Sequence, residues 1–440
     1  MTGSSDEVYE TTVTRLAFGS CHNRRLGEAH QRKLTNRQYA LDNATLSNND
    51  DDGRHTVNIW ESIARTKPNA WLWTGDAIYL PKKFKGDGPI QALKDEYDQT
   101  LAIPQYSKFV KGLSHGIFGT WDDHDYGGND RGKEMADREA RRDLFLDFLN
   151  VDKKSERRKR AGVYNSITFG EMDRKVKVIF LDTRWHRDLH MFPSLAASKV
   201  PLGSVISCFT RLLSATLSSA INTAGFKRPQ MLGEEQWKWL ESQVNESDAQ
   251  INIIVSSVQV LTTNPVVESW GHFREEQLRL IRTIKDLSGC ILLSGDVHHA
   301  ELISIGHGDE LLEVTSSGLT HSCKDPFYGR LCKPILESFS SHRSFDGAYV
   351  LEKNFGTLDI DWNQMQMTIN IHDFEGRVKI QTTRPIKSPK RWTLHKVLEL
   401  GEKNKVPFSS LFLANLLILV FLLKKLQSNL KVVSKDIKKS

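Results

Sequence analysis

Cysteine is scarce in this chain of 440 residues, which contains only five. No two of them form a CxxC pair, and this excludes a zinc ribbon. Cys323 and Cys332 flank a short loop that contains proline and glycine, so a disulfide and two free thiols are both open at this position. Cys290 lies in an apolar run, where we expect a buried core thiol.

Most of the chain also has no excess of positive or negative charge. The formal net charge is +6, but residues 401–440 contain eight lysines and two acidic residues. The preceding 400 residues therefore sum to zero, and their bulk charge implies no nucleic-acid partner. With 39% hydrophobic and 26% charged residues, the chain as a whole has a composition that fits a globular body.

A long hydrophobic run stands near the C-terminus. Residues Val406–Leu423 contain three polar side chains, and their 18 residues just reach the length needed to cross a bilayer. Residues 411–423 show no polar face at helical spacing, which favours a membrane span over an amphipathic or buried helix. We therefore predict a linker over residues 387–405, a transmembrane helix over residues 406–423 and a basic tail over residues 424–440.

The side of the membrane that the globular body faces stays open. The basic tail favours a cytosolic tail, with the body on the other side of a membrane that is crossed once. Residues 1–18, however, lack the apolar core of a signal peptide. A tail-anchored protein with a cytosolic body is therefore the alternative.

Buried strands alternate with amphipathic helices along most of the chain. The predicted strands include Thr12–Phe18, Ala70–Thr74, Gly116–Thr120, Val176–Leu181, Ile251–Ser256 and Cys290–Ser294. The predicted helices are Val57–Arg65, Pro89–Leu101, Gln105–Leu113, Asp137–Leu149, Gly233–Val244 and Glu275–Leu287. Residues 24–54 are polar and are predicted as a loop. Because a strand-rich stretch follows the alternating part, the pattern predicts a layered α/β sandwich.

Four short segments rich in metal-ligand side chains each follow a predicted strand. They are Gly19-Ser20-Cys21-His22-Asn23, Gly75-Asp76-Ala77-Ile78-Tyr79, Asp122-Asp123-His124-Asp125 and Gly295-Asp296-Val297-His298-His299. Strands of one sheet can end at the same edge, which is where open α/β sheets bind their ligands. The segments can therefore converge on one metal cluster, although they span more than 270 residues.

The residue types in these segments indicate a particular metal chemistry. Three acids and a histidine in Asp122–Asp125 repel one another unless a cation lies among them, and a solvated turn is the alternative. Gly75 lets the chain turn so that the Asp76 carboxylate projects. The Tyr79 phenol and the Cys21 thiol, both as anions, favour a ferric ion over magnesium, which prefers carboxylates and neutral oxygens.

Seven motifs, taken together and in this order, carry a resemblance to a known family. They are Phe18-Gly19-Ser20-Cys21, Trp73-Thr74-Gly75-Asp76-Ala77-Ile78-Tyr79, Gly119-Thr120-Trp121-Asp122-Asp123-His124-Asp125, Leu181-Asp182-Thr183-Arg184, Leu232-Gly233-Glu234-Glu235-Gln236-Trp237, Leu293-Ser294-Gly295-Asp296-Val297-His298-His299-Ala300-Glu301 and Thr315-Ser316-Ser317-Gly318. Over roughly residues 12–371 the chain resembles the PhoD-like alkaline phosphatases of the calcineurin-like metallophosphoesterases. The resemblance implies a four-layer αββα metallophosphoesterase sandwich, here a PhoD-like domain over residues 12–386.

The resemblance also implies a role for each matching side chain. The implied metal ligands are Cys21, Asn23, Asp76, Tyr79, Asp123, Asp296 and His298. Of these ligands, Asp76 would bridge the two ions. His124, which is not a ligand, would contact the substrate and protonate its leaving oxygen. The implied cofactors are Fe³⁺ with Ca²⁺, and Zn²⁺, Mn²⁺ and Mg²⁺ are the alternatives.

Two further side chains are candidates for the site. Arg184 is expected to clamp phosphate as a catalytic residue, with an ion pair to Asp182 or another neighbour as the alternative. Gln259, which follows two serines, is a candidate for the remaining ligand position.

The resemblance therefore implies a phosphoric ester hydrolase of the alkaline phosphatase D type. In this hypothesis a metal-bound hydroxide attacks phosphorus in line, and no phosphoenzyme is required. The substrate is a phosphate ester, and monoesters and diesters both stay open. The first alternative is a non-catalytic, membrane-anchored binding protein that retains the metallophosphoesterase fold, and the second is a hydrolase of a different bond.

Overall fold

The computed structural model describes most of the chain between residues 7 and 386. The described ranges are 7–33, 58–190, 210–214, 229–305, 311–325, 329–338 and 343–386, without residues 82, 85, 86, 213 and 263. The predicted linker, transmembrane helix and basic tail (residues 387–440) lie outside these ranges. Among the described residues, no helix combines the length and the apolar character needed to cross a bilayer.

The strands form two sheets whose parallel parts end at a common edge. In chain order they are β1 (Glu7–Tyr9), β2 (Arg15–Gly19), β3 (Ala70–Thr74), β4 (Gly116–Thr120), β5 (Asn165–Phe169), β6 (Val176–Phe180), β7 (Ile251–Val255), β8 (Cys290–Ser294), β9 (Ala300–Ser304), β10 (Leu312–Ser316), β11 (Tyr349–Val350), β12 (Asn354–Asp361), β13 (Gln366–Asp373) and β14 (Val378–Pro385). Six strands pair in the order β14-β13-β12-β2-β3-β4, and eight pair in the order β1-β5-β6-β7-β8-β10-β9-β11. Strands β2, β3 and β4 are parallel to one another, as are β6, β7, β8 and β10.

The helices connect these strands. They are α1 (24–33), α2 (Ile59–Arg65), α3 (Ile90–Leu101), α4 (Pro104–Lys111), α5 (Asp123–Tyr126), α6 (Arg138–Phe148), α7 (Glu234–Asn245), α8 (Arg274–Ile284) and α9 (Gly329–Ser338). Helix α1 occupies the start of the segment predicted as a polar loop. Asn23 caps its first turn, because its Oδ1 accepts a hydrogen bond from the backbone N–H of Leu26 at 3.3 Å.

Successive side chains of a strand point to opposite faces of its sheet. Those on one face form a core between the two sheets, and those on the other face form two further cores under the helices. In β3, Leu72 lies in the core between the sheets, whereas Trp71 and Trp73 pack against the side that carries α2, α4 and α6. In β7, Ile253 lies between the sheets and Ile254 packs with side chains of α7 and α8. Fully burying one such aliphatic side chain contributes roughly 1.5–3 kcal/mol. The chain thus has a mixed α/β fold with two sheets and helices packed outside both.

The structure shows whether the last two cysteines form a disulfide or are free thiols. Cys323 and Cys332 form a disulfide, with Cα atoms 5.7 Å apart. The bond ties the segment that follows β10 to helix α9. Cys290 is a free thiol at the start of β8, where it is only partly buried.

Candidate metal centre

The two sheets approach each other closely at the edge where their parallel strands end. Ser20, after β2, forms a β-bridge with Ser317, after β10. Glycines make the approach possible: a Cβ on Gly75 would lie 2.7 Å from Asp122 Cβ, and one on Gly295 would lie 2.5 Å from Ser20 Oγ. The segments that follow β2, β3, β4 and β8 therefore project from one edge into a shared site.

Four aspartates form the centre of this site. One carboxylate oxygen from each lies within 4.8 Å of those of the other three, namely Asp76, Asp122, Asp123 and Asp296. Two of these oxygens, Asp122 Oδ2 and Asp123 Oδ1, are buried and have no hydrogen-bond partner among the described residues. Buried carboxylates at this spacing repel one another, and unpartnered buried oxygens are unfavourable. The donor set therefore fits a cation, which would relieve both costs.

A chain of sulfur, oxygen and nitrogen donors continues from the aspartates. Asp76 Oδ2 lies 3.6 Å from Cys21 Sγ and 2.5 Å from the Tyr79 hydroxyl oxygen. That hydroxyl lies 3.4 Å from His298 Nε2, which in turn lies 3.2 Å from His321 Nε2. The structure thus brings the predicted thiol, phenol and imidazole together with Asp76, and it adds a second histidine.

Burial disfavours the ionised state of these groups in the absence of a cation. It raises the pKa of Asp76 and that of Asp296 well above their usual values, and neighbouring aspartates add to both shifts. Burial also raises the pKa of the Cys21 thiol and lowers the pKa of His298 to about 3. A bound cation favours carboxylate, thiolate and neutral imidazole, so it would reverse the shifts of the acids and the thiol.

Four residues of the site hold a left-handed backbone conformation. The φ angles are +62° at Cys21, +51° at Asp76, +70° at Asp296 and +59° at His298. Residues other than glycine seldom adopt this region, which costs about 1 kcal/mol or more at each position. Such conformations persist where the surrounding structure determines them, and they occur preferentially at functional sites.

His124 stands at the rim of the site, and its side chain is 30% exposed. Its backbone N–H donates to Asp76 Oδ1 at 3.2 Å, and its Nε2 lies 4.0 Å from Asp123 Oδ1. The imidazole packs against the ring of Tyr79, with centroids 4.0 Å apart. The residue expected to contact substrate thus combines access to solvent with contacts to the acid cluster.

Arg184 lies behind the site and has carboxylates as partners. The side chain is fully buried, with Nε 2.6 Å from Asp122 Oδ1 and one terminal nitrogen 2.7 Å from Glu268 Oε1. Arg187 shares the same Glu268 oxygen at 2.6 Å. The backbone of Arg184, rather than its guanidinium, contacts Asp182, at 2.8 Å. These contacts favour a role in holding Asp122 over the expected contact with phosphate, because no part of the guanidinium is exposed.

The structure gives Asn23 and Gln259 contacts outside the acid cluster. The amide oxygen of Asn23 caps α1, and its backbone N–H donates to Thr320 Oγ1 at 2.7 Å. The side-chain amide of Gln259 donates to Thr315 Oγ1 at 3.0 Å, within the eight-stranded sheet. Of the predicted ligands, the structure brings together the thiol, the phenol, the three aspartates and His298, while the side-chain oxygen of Asn23 accepts a hydrogen bond within α1.

Three residues of the site are absent from the sequence-based set. Asp122 neighbours the predicted Asp123, and only the structure shows that both face the cluster. Ser317 Oγ lies 3.0 Å from Cys21 Sγ and accepts the backbone N–H of His298 at 3.0 Å. His321 lies four residues after Ser317. The serine-rich motif at the end of β10 was therefore the sequence feature from which both Ser317 and His321 could have been predicted.

Comparisons with known proteins identify a family and a shared fold for this chain. The sequence model of the PhoD-like phosphatase family matches residues 47–371, which is more than half of the chain. The structure described as "Structure of PhoD" shares the fold with a TM-score of 0.54 at 15% identity, over 86% of this chain and 69% of that one. A second solved structure, described as "GAP50 the anchor in the inner membrane complex of Plasmodium", has a TM-score of 0.45 at 12% identity, over 89% and 95% of the two chains.

A comparison with curated proteins gives no match. The family match supports a hydrolase that acts on a phosphate ester with the help of metal ions. Of the fold that the resemblance implied, the mixed α/β architecture with two sheets is shared with the solved PhoD structure. On the strength of the matched residues, the chain belongs to the PhoD-like phosphatase family.

Proposed function

We propose that this chain is a metal-dependent phosphoric ester hydrolase. The observation that carries the proposal is the cluster of four aspartates at the edge of both sheets, two of whose buried carboxylate oxygens have no hydrogen-bond partner in the part of the chain that the structure describes. A structural role alone leaves this cluster unexplained: Arg184 pairs with Asp122, whereas Asp76, Asp123 and Asp296 repel one another at this spacing unless they are neutralised.

The residues proposed to hold the ions divide into two kinds. The softer and anionic donors Cys21 and Tyr79, with His298, suit Fe³⁺, whereas the carboxylates of Asp123 and Asp296 suit Ca²⁺. Asp76 contacts donors of both kinds and is the proposed bridge. Zn²⁺, Mn²⁺ and Mg²⁺ are the alternative cofactors. When bound, the ions would supply charge neutralisation for the phosphoryl oxygens and a water molecule of lowered pKa.

The protein groups around the ions have complementary tasks in this proposal. His124, at the exposed rim, donates a proton from its imidazole to the leaving oxygen of the ester. The Tyr79 ring holds the imidazole in place by packing, and His124 Nε2 lies 4.0 Å from Asp123 Oδ1. Arg184 contributes indirectly, because it fixes one oxygen of Asp122 and leaves the other for the cluster.

Metal analysis joined to a substrate panel tests the proposal. Purified full-length protein is assayed for metal content and for hydrolysis of p-nitrophenyl phosphate, bis(p-nitrophenyl) phosphate and a p-nitrophenyl carboxylic ester. We expect stoichiometric metal and hydrolysis of one or both phosphate esters. Asp76→Asn should lose metal and at least a hundredfold in rate, whereas Asp248→Asn, an exposed acid paired with Lys175, should retain both.

Two other results would point to a different function. Protein that contains no metal and hydrolyses no ester would favour a binding protein that retains the fold. Protein that contains metal but hydrolyses only the carboxylic ester would favour a hydrolase of a different bond. The ratio of monoester to diester turnover defines the substrate class, which the geometry of the protein groups leaves open.

We also propose that residues 406–423 anchor the enzyme to a membrane through a single span. The support is the apolar sequence of this segment and the basic tail that follows it. Protease treatment of intact membrane vesicles distinguishes the two topologies, because a protected body lies inside the vesicle and a degraded body faces the medium. Release of the full chain by alkaline carbonate would exclude the anchor.

A further inference from the structure

His321 lies beside the proposed ligands without belonging to the predicted set. It follows β10 in the segment 317–323, and its side chain is buried. Its Nε2 lies 3.2 Å from His298 Nε2, and its ring meets the Tyr79 ring edge-on with centroids 4.9 Å apart. The nitrogen of His321 therefore extends the row of donor atoms that runs from Cys21 through Asp76 and Tyr79 to His298.

The hydrogen bonds of Thr320 define which nitrogen of His321 carries its proton. The Thr320 hydroxyl donates its single hydrogen to the Cys21 carbonyl at 3.1 Å and accepts the Asn23 backbone N–H at 2.7 Å. Its oxygen also lies 3.3 Å from His321 Nδ1, so this nitrogen is the donor of the pair. The lone pair of neutral His321 is then on Nε2, which faces the site. Metal-binding histidines characteristically donate a hydrogen bond through their other nitrogen in this way.

The segment that carries His321 is fixed to the segment that carries His298. The backbone N–H of Cys323 donates to the His298 carbonyl at 2.7 Å, and that of His298 donates to Ser317 Oγ at 3.0 Å. The disulfide from Cys323 to Cys332 secures the same segment to α9. Contacts of the chain before and after His321 therefore fix the position of its Nε2, as a ligand position requires.

The spacing of the donor atoms matches that of neighbouring ligands of one ion. Two ligand atoms, each about 2.1 Å from an ion and at right angles, lie about 3 Å apart. The observed separations are 3.2 Å between the two histidine nitrogens and 3.4 Å between His298 Nε2 and the Tyr79 hydroxyl. We propose that His321 is a further ligand, binding through Nε2 the same ion as His298 and Tyr79. This inference rests on the proposed function, since it completes the same site.

Cobalt binding tests this assignment without relying on activity. Full-length protein is stripped with a chelator and titrated with Co²⁺, and bound metal and the visible d–d absorption are recorded. We expect His321→Ala to bind one Co²⁺ at least tenfold more weakly, with an altered spectrum. His321→Asn keeps a donor for Thr320 but lacks Nε2, and it should show the same loss. His115→Ala, at the opposite end of β4 from the site, should match the wild type.

The two variants separate a ligand from a structural group. If His321→Asn binds Co²⁺ with wild-type affinity and spectrum, the inference is overturned, and His298 Nε2–H then simply donates a hydrogen bond to His321. If His321→Ala does not fold, as judged by circular dichroism, His321→Asn alone decides. Wild-type protein that binds no Co²⁺ would overturn the proposed function itself, which distinguishes that failure from failure of the ligand assignment.

Discussion

The guanidinium of Arg184 lies fully buried against the carboxylate of Asp122, with Nε 2.6 Å from Oδ1. Ser257 Oγ donates to the same oxygen, also at 2.6 Å. Because one oxygen of Asp122 is held by two donors, the other, which has no partner among the described residues, is the one available to a cation. The arginine thus orients an acid of the site from behind.

Replacing Arg184 by glutamine should destabilise the fold strongly. The change leaves Asp122 buried without its arginine partner, although Glu268 keeps its ion pair with Arg187, and breaking a buried pair costs about 3–5 kcal/mol. Urea denaturation of metal-free protein measures the loss. Arg279→Gln is the matched control, because Arg279 pairs with Glu234 near the surface and should lose less than about 1 kcal/mol. Equal stability of the two variants, with a raised KM only for Arg184→Gln, would instead support a phosphate clamp.

Alanine at Gly75 should disrupt the junction between the sheets. The residue has φ +103°, and an added Cβ would lie 2.7 Å from Asp122 Cβ and 3.1 Å from Ser257 Cβ. Gly116→Ala separates backbone strain from crowding, because Gly116 has φ +80° and nothing lies within 4 Å of the added atom. We expect about 1–2 kcal/mol of destabilisation at Gly116 from strain alone.

At Gly75 we expect a larger loss, by roughly 1–3 kcal/mol for overpacking, together with reduced metal content. Thermal unfolding and metal analysis of the two variants measure these effects. If both variants lose the same stability and retain the same metal, then the close approach of the sheets at Gly75 is not required for the site.

Loss of the disulfide should lower stability under oxidising conditions. Cys323 and Cys332 are nine residues apart, and closing a loop of this length contributes about 3 kcal/mol. Cys332→Ser should therefore show a lower midpoint of urea denaturation than the wild type. A reductant should lower the midpoint of the wild type to that of the variant and leave the variant unchanged. A wild-type midpoint that is insensitive to reductant would contradict a stabilising disulfide.

His272 should make stability fall in acid. Burial lowers the pKa of His272 to about 4 from the usual 6.5, and its Nδ1 has no hydrogen-bond partner among the described residues. Between pH 6.5 and pH 4 the unfolded chain binds this proton and the folded chain does not, so stability present above pH 6.5 is lost as the pH falls through 4.

A pair of variants isolates this effect from other acid-sensitive groups. His272→Gln keeps a donor for the Val267 carbonyl but does not titrate. The stability difference between wild type and variant should shrink by up to about 3 kcal/mol from pH 7 to pH 4. His115→Gln, at a half-buried position, should run nearly parallel to the wild type. Parallel profiles for His272→Gln would contradict the assignment of a buried neutral imidazole.

The sequence was most informative where strands are continuously buried. Strands β3, β4 and β8 begin and end as predicted, because parallel strands covered on both faces appear as predominantly apolar runs, and Gly75 and Gly295 mark the ends of β3 and β8. Strands β1, β5 and β14 were not predicted. The edge strand β14, for example, is mostly exposed and consists largely of polar residues, so it has little apolar pattern of its own.

The candidate site was predictable in its segments but not in its individual atoms. Adjacent aspartates at positions 122 and 123 look alike in sequence, and only the backbone turn into α5 brings both to the cluster. Asn23 was implied as a ligand by its position in the motif, and only the structure shows that its oxygen accepts a hydrogen bond within α1. His321 reaches His298 across 23 residues through the pairing of β8 with β10, a tertiary contact that no local pattern encodes.

Stability of the fold and metal binding place opposite demands on the four residues with a left-handed backbone, Cys21, Asp76, Asp296 and His298. Glycine adopts this conformation without a steric penalty, so each of the four positions would relax if its side chain were removed. A library of variants selected only for resistance to heat should therefore drift towards glycine at these positions. A library selected for ester hydrolysis should keep the four native residues. The difference in free energy of unfolding between the two libraries would measure how much stability the protein loses by holding its donor side chains in place.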